Sequence, residues 1–145
     1  MNLTSFSSAV GKLVYQINFK TKYGHEVFTI PEFRRDCEEI FRQVAENESL
    51  QLLGVGFDKH HTRLVIEAKL TDTIPNIVKK FKGISGKILL RKYPKVKREF
   101  FWGSGLWSPA YCVKTVGDGN ICGAINYANN QGIKKGQKTL NEFFN

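Results

Sequence analysis

The spacing of apolar residues changes along this chain, and the order of those changes limits the fold more than any other feature. From Lys12 to Lys20, KLVYQINFK, the residues Leu13, Tyr15, Ile17 and Phe19 recur at every second position, the alternation of a strand with one buried face. After the turn-like KYGHE and Pro31, the apolar positions Phe33, Cys37, Ile40, Phe41 and Val44 recur at helical spacing through about Asn47. Leu50 to Phe57 reads as a strand containing Gly54 and Gly56, and FDKH is short enough to join it as a hairpin to a third strand, His61 to Lys69. Between Thr73 and about Lys92 the positions Ile74, Ile77, Val78, Phe81, Ile84, Ile88 and Leu89 return to helical spacing. Gly83 and Gly86 weaken that helix and permit close packing against it. KYPKVKREFFWGSG then reads as a basic loop, LWSPAYCVKTVG as a fourth strand, and Asn120 to Asn130 as a last helix.

The order strand, helix, strand, strand, helix, strand predicts an α+β fold: a ferredoxin-like split βαβ antiparallel sheet with helices on one face and an extra C-terminal helix that carries Tyr127. The 145 residues fit a single domain, with 1–11 and 133–145 as flanking tails. A hydrophobic content of 41% with eleven phenylalanines is enough for one core. Cys37, Cys112 and Cys122 are odd in number and lack CxxC spacing, which argues against a disulfide framework or zinc knuckle and for small buried apolar residues. No run approaches the roughly 18 apolar residues of a membrane span, and the first residues lack a signal-peptide pattern, so a cytoplasmic protein with no membrane partner is expected.

Charge narrows the function. The chain carries 22 Lys and Arg against 13 Asp and Glu, a net +9. Within KKFKGISGKILLRKYPKVKR the basic residues Lys79, Lys80, Lys82, Lys87, Arg91, Lys92, Lys95, Lys97 and Arg98 have no acid among them. A solvated helix face normally mixes both signs, so this window points to a polyanion, nucleic acid first. Phe100, Phe101, Trp102 and Trp107 follow directly. Aromatics among lysines and arginines suit unpaired bases, Trp102 foremost, while some of these rings belong to the core or to a subunit contact.

On the third strand, alternation places Thr62, Leu64, Ile66 and Ala68 on the helix-packed side and His61, Arg63, Val65 and Glu67 on the other. His61 and Arg63 can therefore converge on one ligand, while His60 points away unless a bulge turns it. In the last helix Tyr127 and Gln131 stand four apart and share a face. A tyrosine hydroxyl can attack a phosphodiester and hold the strand as a phosphotyrosine. The plainer reading is a half-buried Tyr127 packed on Ile121 and Ala124.

Taken together, FDKHHTRLVI, IVKKFKGISGKILLRKYP, FWGSGLWSPAYCVKTVG and INYANNQG resemble, in order, the motifs of the single-tyrosine HUH transposases of the 200/605 group of insertion sequences. The resemblance covers about Lys12 to Gln131. It implies a small homodimer that binds single-stranded DNA hairpins at element ends, then cleaves and rejoins strands through a 5′-phosphotyrosine. In the family each site draws its histidines and tyrosine helix from different subunits, and a divalent cation, Mg²⁺ or Mn²⁺, polarises the scissile phosphate. The resemblance assigns Tyr127 as nucleophile, His61 and Gln131 as metal ligands, and Arg63 to the position of the second histidine. Arginine has five donors and no lone pair, so it cannot ligate a cation, yet it can bind a phosphate and offset transition-state charge. Three readings follow: a nuclease in which Arg63 does part of the metal's work, a cleavage-dead hairpin-binding or RNA-binding module, or a metal site rebuilt around His60.

Overall fold

The computed structural model describes residues 4–6, 9–11, 13–117 and 121–130. A short hairpin, β1 (Thr4–Phe6) with β2 (Ala9–Gly11), precedes the main unit. That unit runs β3 (Leu13–Thr21), α1 (Pro31–Asn47), β4 (Gln51–Phe57), β5 (His61–Ala68), α2 (Ile74–Lys92), α3 (Pro94–Phe100), β6 (Trp107–Thr115) and α4 (Ile121–Asn130). The four strands lie in the order β4-β5-β3-β6, each pair antiparallel. This is the split βαβ order that the periodicity predicts.

Prolines start three of the helices. Pro31, Pro75 and Pro94 occupy the first or second helical position of α1, α2 and α3, where a missing N–H costs nothing and the fixed φ favours the turn. Thr73 caps α2 by accepting from the Asn76 amide at 3.4 Å.

Two sequence expectations change. The segment read as a basic loop contains α3, whose Val96 is buried and anchors it. The first eleven residues, read as a tail, include the paired strands β1 and β2. The tail 133–145 lies outside the described residues, as does Gln131.

Helices α1 and α2 cover one face of the sheet. Phe41 sits at the centre of that core, with Phe19, Phe57, Phe81 and Trp107 around it at ring separations of 5.6 to 6.4 Å. Ile17, Leu64 and Ile66 supply the floor, all fully buried. Burying each such side chain contributes about 1.5–3 kcal/mol, which is why this face carries the fold. Cys37 belongs to this core, as expected; Cys112 does not, and lies exposed on the edge strand β6, opposite Asn18 on the face away from α1 and α2.

Helix α4 crosses the opposite face above β4 and β5, so the side of the sheet away from α1 and α2 is partly roofed. A small cluster of Val14, Val65 and Ala128, with Leu53, Ala124 and Ile125 around it, forms the contact.

Candidate functional site

The site face is laid out by strand register. Asn18 of β3 pairs with Arg63 of β5 on one side and Cys112 of β6 on the other, and Lys20 pairs with His61. Gln16, Asn18, His61, Arg63 and Lys114 thus point to the face that α4 crosses. His61, Arg63, Val65 and Glu67 do share a face, as alternation predicts, and Thr62, Leu64 and Ile66 sit buried on the other.

Two glycines let α4 come down on this face. A Cβ on Gly56 would lie 1.6 Å from the Ala128 carbonyl oxygen, and one on Gly54 would lie 3.3 Å from Asn129 Oδ1. Only glycine allows that approach at residue 56. The register of β4 against β5 shifts just before them, between Leu52 and Gly54, and between the two glycines the Val55 amide donates to Asn129 Oδ1 at 3.0 Å. Asn129 and Gly56 are the residues that sequence reasoning missed. A glycine pair inside a strand was the available signal.

Seated this way, α4 brings Tyr127 over Arg63, whose Cζ lies 4.3 Å from the ring centroid. This is a cation–π contact across the site face. Tyr127 remains 56% exposed and forms one wall of a hollow of about 320 Å³ with Gln16, Lys114 and Gly123. The half-buried packing read from sequence is therefore only partly met: Ala124 joins the small cluster, while the tyrosine ring stands out over the arginine.

His61 begins β5 beside the turn that holds His60, and the two rings are 4.1 Å apart. The His60 carbonyl accepts from the Thr21 amide at 2.9 Å, and pairing of β5 with β3 is regular from His61 onward, so no bulge in β5 turns His60 into the strand face. His60 Nδ1 and Asn18 Oδ1 are buried without a hydrogen-bond partner among the described residues. Burial holds the His61 pKa below the ordinary histidine range, with the neighbouring His60, Lys20 and Arg63 acting in the same direction and Asp58 opposing them.

Of the ligands the resemblance assigns, His61 lies on this face and Gln131 lies outside the described residues. Among the described residues no three His, Cys, Asp or Glu side chains converge. The imidazoles of His60 and His61 stand here beside the permanent guanidinium charge of Arg63, which repels a cation and offers it no lone pair.

The basic window divides into two populations. Lys80 pairs with Glu48, and Lys92 with Asp36 at 2.8 Å. Lys82 donates to the carbonyls of Ser108 at 2.6 Å and Ala110 at 2.9 Å, and burial lowers its pKa. These three serve the fold in addition to any ligand. Lys79, Lys87, Arg91 and Lys97 line a groove of about 710 Å³ between α2 and the segment leading into β6, and Lys95 and Arg98 stand exposed on α3. Gly86 and Trp107 form part of the groove floor; the Trp107 ring is buried and donates through Nε1 to Ser85 Oγ at 2.9 Å. Gly86 accordingly provides the close packing expected of it, while Gly83 faces open space. Of the aromatics, Phe101 and Trp107 are core residues and Trp102 is 83% exposed.

The split βαβ sheet with α4 on its second face is a fold found among transposases. The chain belongs to the family described as "Transposase IS200 like", whose sequence pattern matches residues 9–131. The ISDra2 transposase TnpA of Deinococcus radiodurans is 30% identical over 126 residues, 87% of this chain and 89% of that protein. A crystal structure of a Deinococcus radiodurans protein assigned as a transposase superposes with a TM-score of 0.72 at 30% identity, covering 89% of this chain and 98% of that one. A REP-associated tyrosine transposase bound to a REP hairpin shares the fold alone, with a TM-score of 0.58 at 7% identity over 86% of this chain and 70% of its own. Among the described residues no helix is long and apolar enough to cross a membrane.

Proposed function

We propose that this transposase binds single-stranded DNA hairpins and cleaves and rejoins strands through Tyr127, with Arg63 acting on the scissile phosphate. The observation that carries the reading is the guanidinium lying 4.3 Å from the Tyr127 ring on an exposed face. The tyrosine oxygen attacks phosphorus, a bond to it forms, the bond from phosphorus to the 3′ oxygen breaks, and that oxygen leaves as a hydroxyl, taking up a proton in exchange for the one the tyrosine gives up. A second 3′ hydroxyl reverses the exchange and frees Tyr127. Arg63 binds the non-bridging oxygens and offsets the charge that develops on them. In this reading the hairpin's backbone lies along the groove of Lys79, Lys87, Arg91 and Lys97. In this reading a second copy of the chain covers apolar residues exposed on β6 and α2, Tyr111 and Val113 on the strand and Ile84 and Ile88 on the helix.

The second reading is a hairpin-binding module without cleavage, favoured by an arginine standing where the family has a histidine. A denaturing gel with labelled hairpin DNA separates the two. Wild-type protein is expected to form a covalent adduct without added metal, Tyr127→Phe to form none, and Arg63→Ala to lose at least about a hundredfold in adduct rate, the scale of a lost transition-state donor. Hairpin affinity should survive Tyr127→Phe and fall with salt at a log-log slope of about −0.7 per phosphate contacted. Adduct formation that requires Mg²⁺ or Mn²⁺ would remove the role given to Arg63; hairpin binding with no adduct in any buffer would select the second reading.

A further inference from the structure

The end of the sheet where β3 stops carries aromatic rings that neither the core nor the tyrosine site uses. Lys22–Gly24 form a tight turn closed by the His25 amide donating to Lys22 O at 3.4 Å. Both of its central residues are left-handed, Tyr23 at φ 62° and Gly24 at φ 68°. Glycine adopts that conformation freely, but a bulky residue is an outlier there. Packing does not explain the tyrosine, whose side is 71% exposed. Its ring lies 5.8 Å from His25, and His25 in turn lies 5.0 Å from Phe100 and 5.3 Å from the buried Phe101. Trp102, 83% exposed, follows Phe101 directly. His25 and Phe100 line a shallow hollow of about 500 Å³.

Charge around these rings favours an anionic chain. The Lys22 ammonium lies 5.8 Å from the Tyr23 ring centroid. Helix α3 brings Lys95, Lys97 and Arg98 against a single acid, Glu99, and the nearby Glu26 is already paired with Lys59 at 3.7 Å. We propose that Tyr23, His25, Phe100 and Trp102 form a stacking platform for unpaired bases of the single strand that flanks a bound hairpin. Aromatic faces stack any base, and the cations around them meet the intervening phosphates. Position agrees with this. Lys20 pairs with His61, and the Thr21 amide donates to His60 O at 2.9 Å, so the platform begins where the Arg63–Tyr127 face ends. From Asn18, opposite Arg63, to Lys22 is about 13 Å at roughly 3.3 Å per strand residue. One short single strand can therefore span both places.

The proposal rests on the hairpin-binding reading, and the experiment separates the two. Affinity is measured by fluorescence anisotropy for a bare hairpin, the same hairpin with a short oligothymidine tail, and one with an abasic tail of equal length. The thymidine tail should raise wild-type affinity and the abasic tail should not. Tyr23→Asn should remove about tenfold of that gain, in the range of one base stacked on one ring, and leave bare-hairpin affinity unchanged, while Trp102→Ala should weaken the tailed hairpin more than the bare one. Because asparagine tolerates the left-handed region better than tyrosine, Tyr23→Asn should keep or raise the thermal midpoint, so its lost binding is not unfolding. A thymidine tail that adds nothing, an abasic tail that serves equally well, or variants that weaken bare and tailed hairpins alike would each overturn the platform while leaving the hairpin reading standing. Failure of wild-type protein to bind the bare hairpin would remove both.

Discussion

On the face under α1 and α2 the sheet presents Ile17, Phe19, Leu64 and Ile66, all fully buried; on the face under α4 the neighbouring residues Gln16, Asn18, His61 and Arg63 are polar, and only Gln16 is buried. The same two strands, β3 and β5, supply both sets, one residue out of step. The apolar face is closed by phenylalanines that interlock at core distances. The polar face is roofed by α4, which rests on two glycines and small side chains, with the Asn129 side chain bonded to the Val55 amide and Tyr127 over Arg63. Stability is therefore concentrated where chemistry is absent, and the side that holds Arg63 and Tyr127 can be altered without dissolving the fold.

That division can be broken most severely from the core. Phe41→Ala should lower the unfolding free energy by about 3–5 kcal/mol, read by urea denaturation, while protein that remains folded keeps its hairpin affinity. Altered affinity in the folded fraction would mean that the two faces are coupled. The next largest effect is expected from Gly56→Ala, because the new methyl would meet the Ala128 carbonyl at 1.6 Å and backbone cannot yield as a side chain can. Helix α4 must shift, which should cost about 1–3 kcal/mol and cut adduct formation at least about tenfold with hairpin binding intact. Full adduct yield from this variant would show that Tyr127 does not need α4 seated on its own β4. The smallest effect belongs to Asp36 of α1, on the helix side of the sheet. The Lys92 ammonium and the Tyr93 hydroxyl, which donates to Asp36 Oδ2 at 2.5 Å, hold its pKa below the ordinary carboxylate range. The Tyr93 hydroxyl is itself pushed up to about 12, by burial first and by the Asp36 bond next, and stays a donor. A carboxylate depressed in the folded state adds stability above its unfolded value near about 4 and loses it as pH falls through the folded one. Asp36→Asn should thus lower the thermal midpoint slightly at neutral pH and make no difference at strongly acidic pH; an equal loss at both would detach Asp36 from the acid response.

What the sequence disclosed and what it withheld follow from the range over which each feature acts. Strands β3 to β6 and helices α1, α2 and α4 announce themselves by local period, and the split order needs nothing more. Helix α3 was hidden because lysines and arginines dominate its composition, although Pro94 at its start and the spacing of Val96 from Phe100 were legible. The division of β5 into two faces was readable from alternation, and so was the placement of Arg63 on the second face, away from the core. The clamp of Asn129 on Val55 was not, since it joins residues 74 apart whose meeting depends on where α4 lands. The engagement of Lys80, Lys82 and Lys92 was equally out of reach, because a run of positive charge does not say which ammonium groups have already found an acceptor.

Lys82 also limits what can be added to the molecule. Strand β6 is a sheet edge, and an edge invites another strand to extend it. The ammonium of Lys82 has taken the carbonyls of Ser108 and Ala110, so an arriving strand finds acceptors at that end of β6 already in use. Beyond these two carbonyls, the stretch Tyr111–Thr115 is the part of β6 that pairs regularly with β3. Neutralising that one amine, by acetylation for instance, would take its charge from the Ser108 and Ala110 carbonyls and loosen the tie between α2 and the start of β6.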